Sequence, residues 1–453
     1  MQKESSRKHY FGTDGIRGTW NDAVINEAFA RRFGAALAAF LKARIPDRPA
    51  AVYLGRDTRG SGEVLSQAIR DGLSIAGAFV CDLGVIPTPA VALVTSHQSA
   101  DLGIMVTASH NPASDNGYKV FGPGGLKLTK EDEAEIEGFI EQISVSDLPK
   151  AEPCGHCFDG LSYYITYMRS LLDEDCLAGR RLVIDLANGA TTATAPEVFR
   201  RWGGQIHFLG NQPNGQNIND GVGSEHPEKL AQVVREQGAA LGIAFDGDGD
   251  RVVIVDANGK TVPGEAILAL LAREEAACQQ LSSNLLVTTV HSNGGLDRAV
   301  EQFGGRTERT DVGDRNVLYR MRELGASMGG ESSGHIIFSE LIPSGDGLLS
   351  AIKFLALFLK QQCSVAELAA SVKMFPQAEG SLRVLKKLPL ESLPHFSVAS
   401  QAVESRLSAG KGRILVRYSG TEPKLRFLVE AESIETAEQE LSLLMAAAEQ
   451  DLN

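Results

Sequence analysis

No run of 18 or more apolar residues occurs in the 453-residue sequence, and mean hydropathy is -0.08. That pattern argues against a membrane-spanning helix. The opening MQKESSRKHYFGTDG lacks the apolar stretch of a signal peptide, so a cytoplasmic location is expected. Basic residues are in deficit: 44 Lys and Arg stand against 57 Asp and Glu, a net charge of -13. Nucleic acid and anionic membranes are therefore not expected partners, and a phosphate-bearing ligand would need cations gathered in one cleft. Cysteine is sparse and scattered, at 81, 154, 157, 176, 278 and 363, which in a chain this long is no disulfide framework. Cys154 and Cys157 have redox or zinc-ligand spacing, but no second ligand pair is evident. Between Pro153 and Phe158-Asp-Gly they read as two thiols in a linker. Nucleotide motifs are also missing. Gly259-Lys260-Thr261 resembles the end of a P-loop, yet the required first glycine is Ile254. Gly122 and Gly124 begin a dinucleotide fingerprint whose third glycine is Lys127.

What is present is alternation. Apolar runs that end in polar or glycine turns, such as 51–57, 181–190 and 285–294, are separated by helical patterns. In 26–44, Ala28, Phe29, Phe33, Ala36, Leu37 and Phe40 lie near one helical face. Strands alternating with helices predict an α/β architecture with mainly parallel sheets. Residues 144–160 are polar and broken by Pro and Gly, which marks a domain end. Residues 256–263 form a turn cluster before a helix. Beyond about 375 the strand-like runs 413–420 and 425–431 and a helix over 436–450 read as a smaller α+β domain.

Four segments carry chemistry. Asp246, Asp248 and Asp250 alternate with glycine, and three carboxylates converging on one point require a cation. Hard oxygen donors in that number suit Mg²⁺ with positions open for phosphate oxygens. An EF-hand would need Gly and Glu where Arg251 and Ala257 stand, and Arg251 favours a phosphate site over a plain acidic turn. Residues 104–122 deliver Ser109 into a loop with His110, Asn111 and Pro112. No G-x-S-x-G elbow surrounds it, so an acyl hydrolase is not indicated, and taken alone it reads as an ordinary loop serine. Sequence neighbours seldom face each other as nucleophile and base, which weighs against pairing His110 with it. Residues 417–426, RYSGTEPKLR, combine Arg417, Ser419, Gly420, Thr421 and Arg426, donors able to surround a phosphate dianion. Residues 329–338 present Glu331, Ser333 and His335 at alternate positions, a set that fits sugar hydroxyls.

Together TASHNP, DGDGDR, GESSGH and RYSGTEP, in this order and spacing, resemble the α-D-phosphohexomutase superfamily over essentially the whole chain. YFGTDGIRG (10–18), VGDR (312–315) and SGDG (344–347) resemble its phosphoglucosamine mutase branch. Two positions depart from the more usual pattern, Ser332 in the sugar loop and Tyr418 before the phosphate loop. The resemblance implies a heart-shaped arrangement of three α/β domains with mixed sheets and a smaller C-terminal α+β domain, bounded near 1–150, 151–257, 258–372 and 373–453. It implies a mutase that interconverts glucosamine 6-phosphate and glucosamine 1-phosphate through a phosphoserine and a 1,6-bisphosphate. Phosphoglucomutase or phosphomannomutase activity is the nearest alternative, and a sugar phosphatase a more distant one. The implied roles are phosphate carried on Ser109; one Mg²⁺ held by Asp246, Asp248, Asp250 and Ser109; proton traffic by Lys119 and His110; and support from Arg17 and Arg251. The remaining residues of the last two loops would bind a small phosphosugar. A monomer or homodimer is expected.

Overall fold

The computed structural model describes residues 9–144, 157–408, 412–419 and 423–452, folded around four β-sheets. The first contains β1 (Ile16–Thr19), β2 (Ala51–Arg56), β3 (Phe79–Val85), β4 (Leu102–Val106), β5 (Asp115–Gly122) and β6 (Leu126–Lys127), in the order β1-β5-β4-β2-β3 with β6 beside β5. The second, β10-β9-β7-β8, is built from β7 (Arg181–Asp185), β8 (Gln205–Leu209), β9 (Leu241–Phe245) and β10 (Val252–Asp256). The third, β12-β11-β13-β14, uses β11 (Leu285–Thr289), β12 (Arg306–Thr310), β13 (Met328–Gly330) and β14 (Ile336–Phe338). The last, β15-β17-β16, uses β15 (Gln377–Arg383), β16 (Arg413–Tyr418) and β17 (Lys424–Glu430).

Strand–helix alternation predicts parallel pairing, and β2, β3 and β4, then β7, β8 and β9, then β11, β12 and β13 do pair in parallel. The second and third sheets then depart from the rule at one pair each, and the first at β5, which runs antiparallel to β1, β4 and β6. Strands β4 and β5, β9 and β10, and β13 and β14 pair antiparallel as hairpins. Strands β16 and β17 do the same in the fourth sheet. The connections of these four hairpins contain the four motif segments.

The helix Glu27–Arg44 shows why the local sequence folds as it does. Asn26 caps it, accepting a hydrogen bond from the Phe29 amide at 2.8 Å. Phe29, Phe33, Ala36, Leu37 and Phe40 are buried, as their spacing predicts. Val91 and Phe121 from the first unit, Trp202 and Phe245 from the second, and Leu268 and Phe354 from the third share one continuous apolar core. The C-terminal unit has a core of its own, including Phe396, Leu425, Phe427 and Leu444. None of the described helices is long and apolar enough to cross a membrane.

The reading of Cys157 as a linker thiol is corrected. It is disulfide-bonded to Cys81 in β3, 76 residues earlier, with the two Cα atoms 5.3 Å apart. A pairing at that separation depends on how β3 and the start of the second unit are brought together, which residue spacing does not encode. Cys154 lies outside the described residues.

Candidate active site

Ser109 sits at the top of the β4–β5 hairpin with φ of 52°, a left-handed backbone that costs a non-glycine residue about 1 kcal/mol or more. The surrounding structure holds it there. The Ser109 amide donates to Thr107 Oγ1 at 2.9 Å, and Thr107 Oγ1 donates to Asp57 Oδ2 at 2.7 Å. Arg59, fully buried and paired with Asp57 at 2.8 Å, directs its guanidinium at the loop's carbonyls. It donates to Ser109 at 2.8 Å, Asn111 and Asp115 at 2.9 Å, and also to Pro112. Asn219, from the second unit, donates to the Ser109 and Asn111 carbonyls at 2.9 and 3.0 Å.

The acidic loop between β9 and β10 comes against this one. Gly247 allows the approach: a Cβ there would stand 2.6 Å from the Ser109 carbonyl oxygen. Ser109 Oγ donates to Asp246 Oδ2 at 2.6 Å and is 3.3 Å from His110 Nδ1. Serine and histidine therefore do face each other despite being neighbours, because the left-handed turn at Ser109 brings their side chains to the same side. Asp246, Asp248 and Asp250 are buried, with one oxygen from each lying within 4.8 Å of the others. Lys119 Nζ, from β5, donates to Asp248 at 2.7 Å and Asp250 at 2.8 Å, and Thr88 Oγ1 to Asp248 at 2.5 Å. Asp248 Oδ1 and Asp250 Oδ1 are buried without a hydrogen-bond partner. Desolvated anionic oxygens with unused lone pairs fit a hard divalent cation. The three acids could hold a metal.

Burial is the largest influence on each of these carboxyls. Asp246 adds to it the charges of Asp250 and Asp248, only partly offset by Arg251 and the Ser109 hydroxyl, so its pKa lies well above the usual carboxylate range. Burial pushes Asp248 and Asp250 up as well, and Asp250 pushes Asp248 further, but Lys119 and Thr88 at Asp248, and Lys119, His335 and Arg251 at Asp250, together outweigh it. Both end below the usual range, Asp250 well below with help from His335. Burial alone would lower Lys119, but Asp248 and Asp250 carry it above an ordinary lysine. Burial, then Arg251, lowers His110.

Arg251 follows the acids directly. Its amide donates to Asp246 Oδ1 at 3.2 Å and its guanidinium to Glu225 at 3.1 Å. Arg17, on β1, pairs with Asp14. Of the sugar-loop candidates, Glu331 accepts from the Gly313 amide at 2.9 Å, and Ser333 Oγ is buried without a partner. His335 turns the other way. Its ring, with Gly345 flat against it, stands 3.7 Å from Asp250 and 3.6 Å from Asp314. Asp314 in turn meets Lys127 at 2.5 Å, and Lys127 meets Asp14 at 2.8 Å. A line of polar contacts, buried as far as the partly exposed Asp14, thus ties the acidic loop to the first and third units. Arg417 and Arg426 face each other across β16 and β17 and line a cavity of about 510 Å³. Ser419, buried, donates its amide to the Lys424 carbonyl at 2.9 Å. Gly420 and Thr421 lie outside the described residues.

The motif reading missed Asp57, Arg59, Asn219, Thr88, Asp314 and Lys127. Arg59 left a faint trace, since Arg56-Asp57-Thr58-Arg59 packs charge at the end of an apolar strand. Arg59→Ala would strand the buried Asp57 carboxylate and four loop carbonyls. The expected destabilisation is about 3–5 kcal/mol, with kcat falling more than KM rises. Denaturant melts and steady-state kinetics check this, and an equal loss in Arg59→Lys would show that the planar guanidinium fork is essential.

Comparison with known proteins agrees with this geometry. Models of the phosphoglucomutase/phosphomannomutase family match along the chain: α/β/α domain I at residues 8–146, domain II at 162–259, domain III at 263–375 and the C-terminal domain at 362–446. The chain belongs to that family and has its architecture of three α/β domains and a smaller C-terminal domain. It is 43% identical over 439 residues to phosphoglucosamine mutase of Bacillus cereus (strain ATCC 10987 / NRS 248), covering 95% of this chain and 96% of that protein. It is equally similar to the Bacillus anthracis (strain CDC 684 / NRRL 3495) protein of the same name. Within the family it is a member of the phosphoglucosamine mutase branch. Its fold is shared with a Burkholderia thailandensis phosphoglucomutase/phosphomannomutase family protein, at TM-score 0.80, 24% identity and 99% coverage of both chains. It is also shared with N-acetylphosphoglucosamine mutase of Aspergillus fumigatus, solved with GlcNAc-6P and magnesium, at TM-score 0.66 and 17% identity, covering 100% of this chain and 97% of that one.

Proposed function

We propose that the chain interconverts glucosamine 6-phosphate and glucosamine 1-phosphate, with Ser109 as the phosphate carrier. The observation that carries this reading is the 2.6 Å contact of Ser109 Oγ with Asp246, inside a buried group of three carboxylates. In the first half-reaction a sugar hydroxyl attacks the phosphorus on Ser109. The bond from phosphorus to Oγ breaks, and the hydroxyl proton leaves with a base. The product is a 1,6-bisphosphate. After it turns end over end, Ser109 Oγ attacks the other phosphate, the bond from that phosphorus to the sugar oxygen breaks, and the same base returns its proton to that oxygen as the sugar monophosphate leaves. His110, 3.3 Å from Oγ, takes the serine proton when Oγ attacks and returns it when Oγ departs. Lys119 holds a positive charge between the acids and the serine loop, and Arg251 adds another. Asp246, Asp248, Asp250 and Ser109 would hold one Mg²⁺, which when bound offsets charge on the transferring group.

The phosphate already on the substrate is assigned to Arg417, Ser419, Gly420, Thr421 and Arg426, and sugar hydroxyls to Glu331 and Ser333. His335 is assigned to the acidic loop it touches, and Arg17 to support of the serine loop. Because either end of the sugar must occupy the same phosphate site, that site grips phosphate and leaves the ring loosely held. The separate C-terminal core supports a hinged motion of that domain during turning. A small phosphosugar in the cytoplasm is the proposed partner, acted on by a monomer or homodimer.

Intact mass before and after incubation with a hexose 1,6-bisphosphate tests the chemistry. A gain of one phosphate on Ser109 is expected, followed by highest turnover on glucosamine 6-phosphate against glucose 1-phosphate and mannose 1-phosphate. Phosphate absent from Ser109 would overturn the carrier, and preference for a neutral hexose would overturn the amino sugar.

A further inference from the structure

One face of the C-terminal sheet looks away from that domain's own core. Side chains alternate along paired strands, so Arg413, Leu415 and Arg417 of β16 share a face with Glu430, Leu428 and Arg426 of β17. At one end of this face Arg413 pairs with the fully buried Glu430, with contacts of 2.9 and 3.0 Å. The pair reaches into the third unit. Arg413 donates to the carbonyls of Val290 at 2.9 Å and Ser292 at 2.5 Å, and Glu430 accepts from the Gly294 amide at 2.8 Å. The residue between the two gripped carbonyls is His291. Its ring lines the same cavity as Arg417 and Arg426, and its Nε2 is buried without a hydrogen-bond partner.

We propose that His291 is a phosphate-binding residue which the third domain contributes to the C-terminal site, donating a hydrogen bond to the phosphate seated beside Arg417 and Arg426. This rests on the reading of that cavity as the substrate's phosphate pocket. The electrostatics agree with the geometry. Burial, then the charges of Arg417, Arg413 and Arg426, hold His291 below the ordinary histidine range, so the imidazole is neutral at pH 7. Lys424 of β17 also lines the cavity, and Glu379 of β15 opposes the cations. Behind the loop, Arg309 of β12 holds the Thr289 and Ser292 carbonyls and pairs with Asp297. A phosphate dianion offsets the charge of these cations at His291. The imidazole then takes a proton from solvent and becomes a charged donor. The bound-state pKa is raised, so the added affinity is present below it and is lost as pH rises through it. One residue would thereby sense both the ligand and the seating of the C-terminal domain on the third.

The test uses the full chain and inorganic phosphate. Histidine-ring NMR, with the His291 signal assigned by its loss in His291→Gln, follows the His291 titration with and without saturating phosphate. Phosphate affinity is measured for wild type, His291→Gln and Arg417→Ala from pH 5.5 to 8.5. The expected result is an upward shift of the His291 titration by phosphate. His291→Gln should bind phosphate roughly ten-fold more weakly at low pH and nearly as wild type at pH 8.5. The ratio of the two proteins cancels the ionisation of phosphate itself. If Arg417→Ala abolishes binding while the His291 titration stays fixed and His291→Gln matches wild type at every pH, the role of His291 is overturned. If Arg417→Ala binds as wild type, the pocket reading itself fails and this inference falls with it. Should the glutamine variant fold poorly, His291→Asn supplies the assignment and the wild-type titration decides.

Discussion

Ser109→Ala is expected to lower mutase turnover by roughly 10⁴-fold or more while the protein stays folded. Only a hydroxyl is removed, and the hydrogen bonds that fix the loop are made by the Ser109 amide and carbonyl rather than by Oγ. Loss of the Oγ bond to Asp246 leaves a carboxyl whose pKa already lies well above the usual range. A buried carboxyl that accepts a proton readily loses little when one donor is withdrawn. The melting temperature should therefore stay close to wild type, and the variant should gain no phosphate from a hexose bisphosphate. Near-normal turnover in the alanine variant would remove serine from the mechanism.

Asp248→Asn is the second substitution with a large expected effect. It should reduce turnover by roughly 10³-fold and raise the Mg²⁺ concentration needed for half-maximal rate. Three buried carboxylates repel one another, and Lys119 supplies the one side-chain ammonium bonded to two of them among the described residues. Replacing one carboxylate by an amide relieves repulsion but removes an anionic ligand. Added Mg²⁺ should stabilise the wild type against heat and the variant much less. Thermal melts with chelator and with Mg²⁺ read this separately from the kinetics. Full wild-type activity in excess chelator would rule the metal out.

The site was legible where chemistry forces an unusual local composition. Three acids alternating with glycine have few structural uses, and these do lie together, while Arg417 and Arg426 of the later segment line one cavity. The parallel strands were legible because apolar runs alternated with helical periodicity. The antiparallel pairing of β4–β5, β9–β10, β13–β14 and β16–β17 was not, since the segments that join these strands carry the proposed site residues in place of ordinary turn chemistry. Arg59 was missed for a different reason. It acts on carbonyl oxygens, which every residue has, so its partners leave no mark on the sequence. His335 had a visible motif, but its orientation depends on Asp314 arriving from another segment.

The C-terminal domain keeps its apolar interior to itself and meets the rest of the protein through features such as the Arg413–Glu430 joint. A body docked by ion pairs and backbone contacts can lift and resettle without exposing a greasy surface to water. The bisphosphate's half-turn is then decoupled from the forces that keep the chain folded, and sequence change could loosen or stiffen this swing without eroding the protein's resistance to melting.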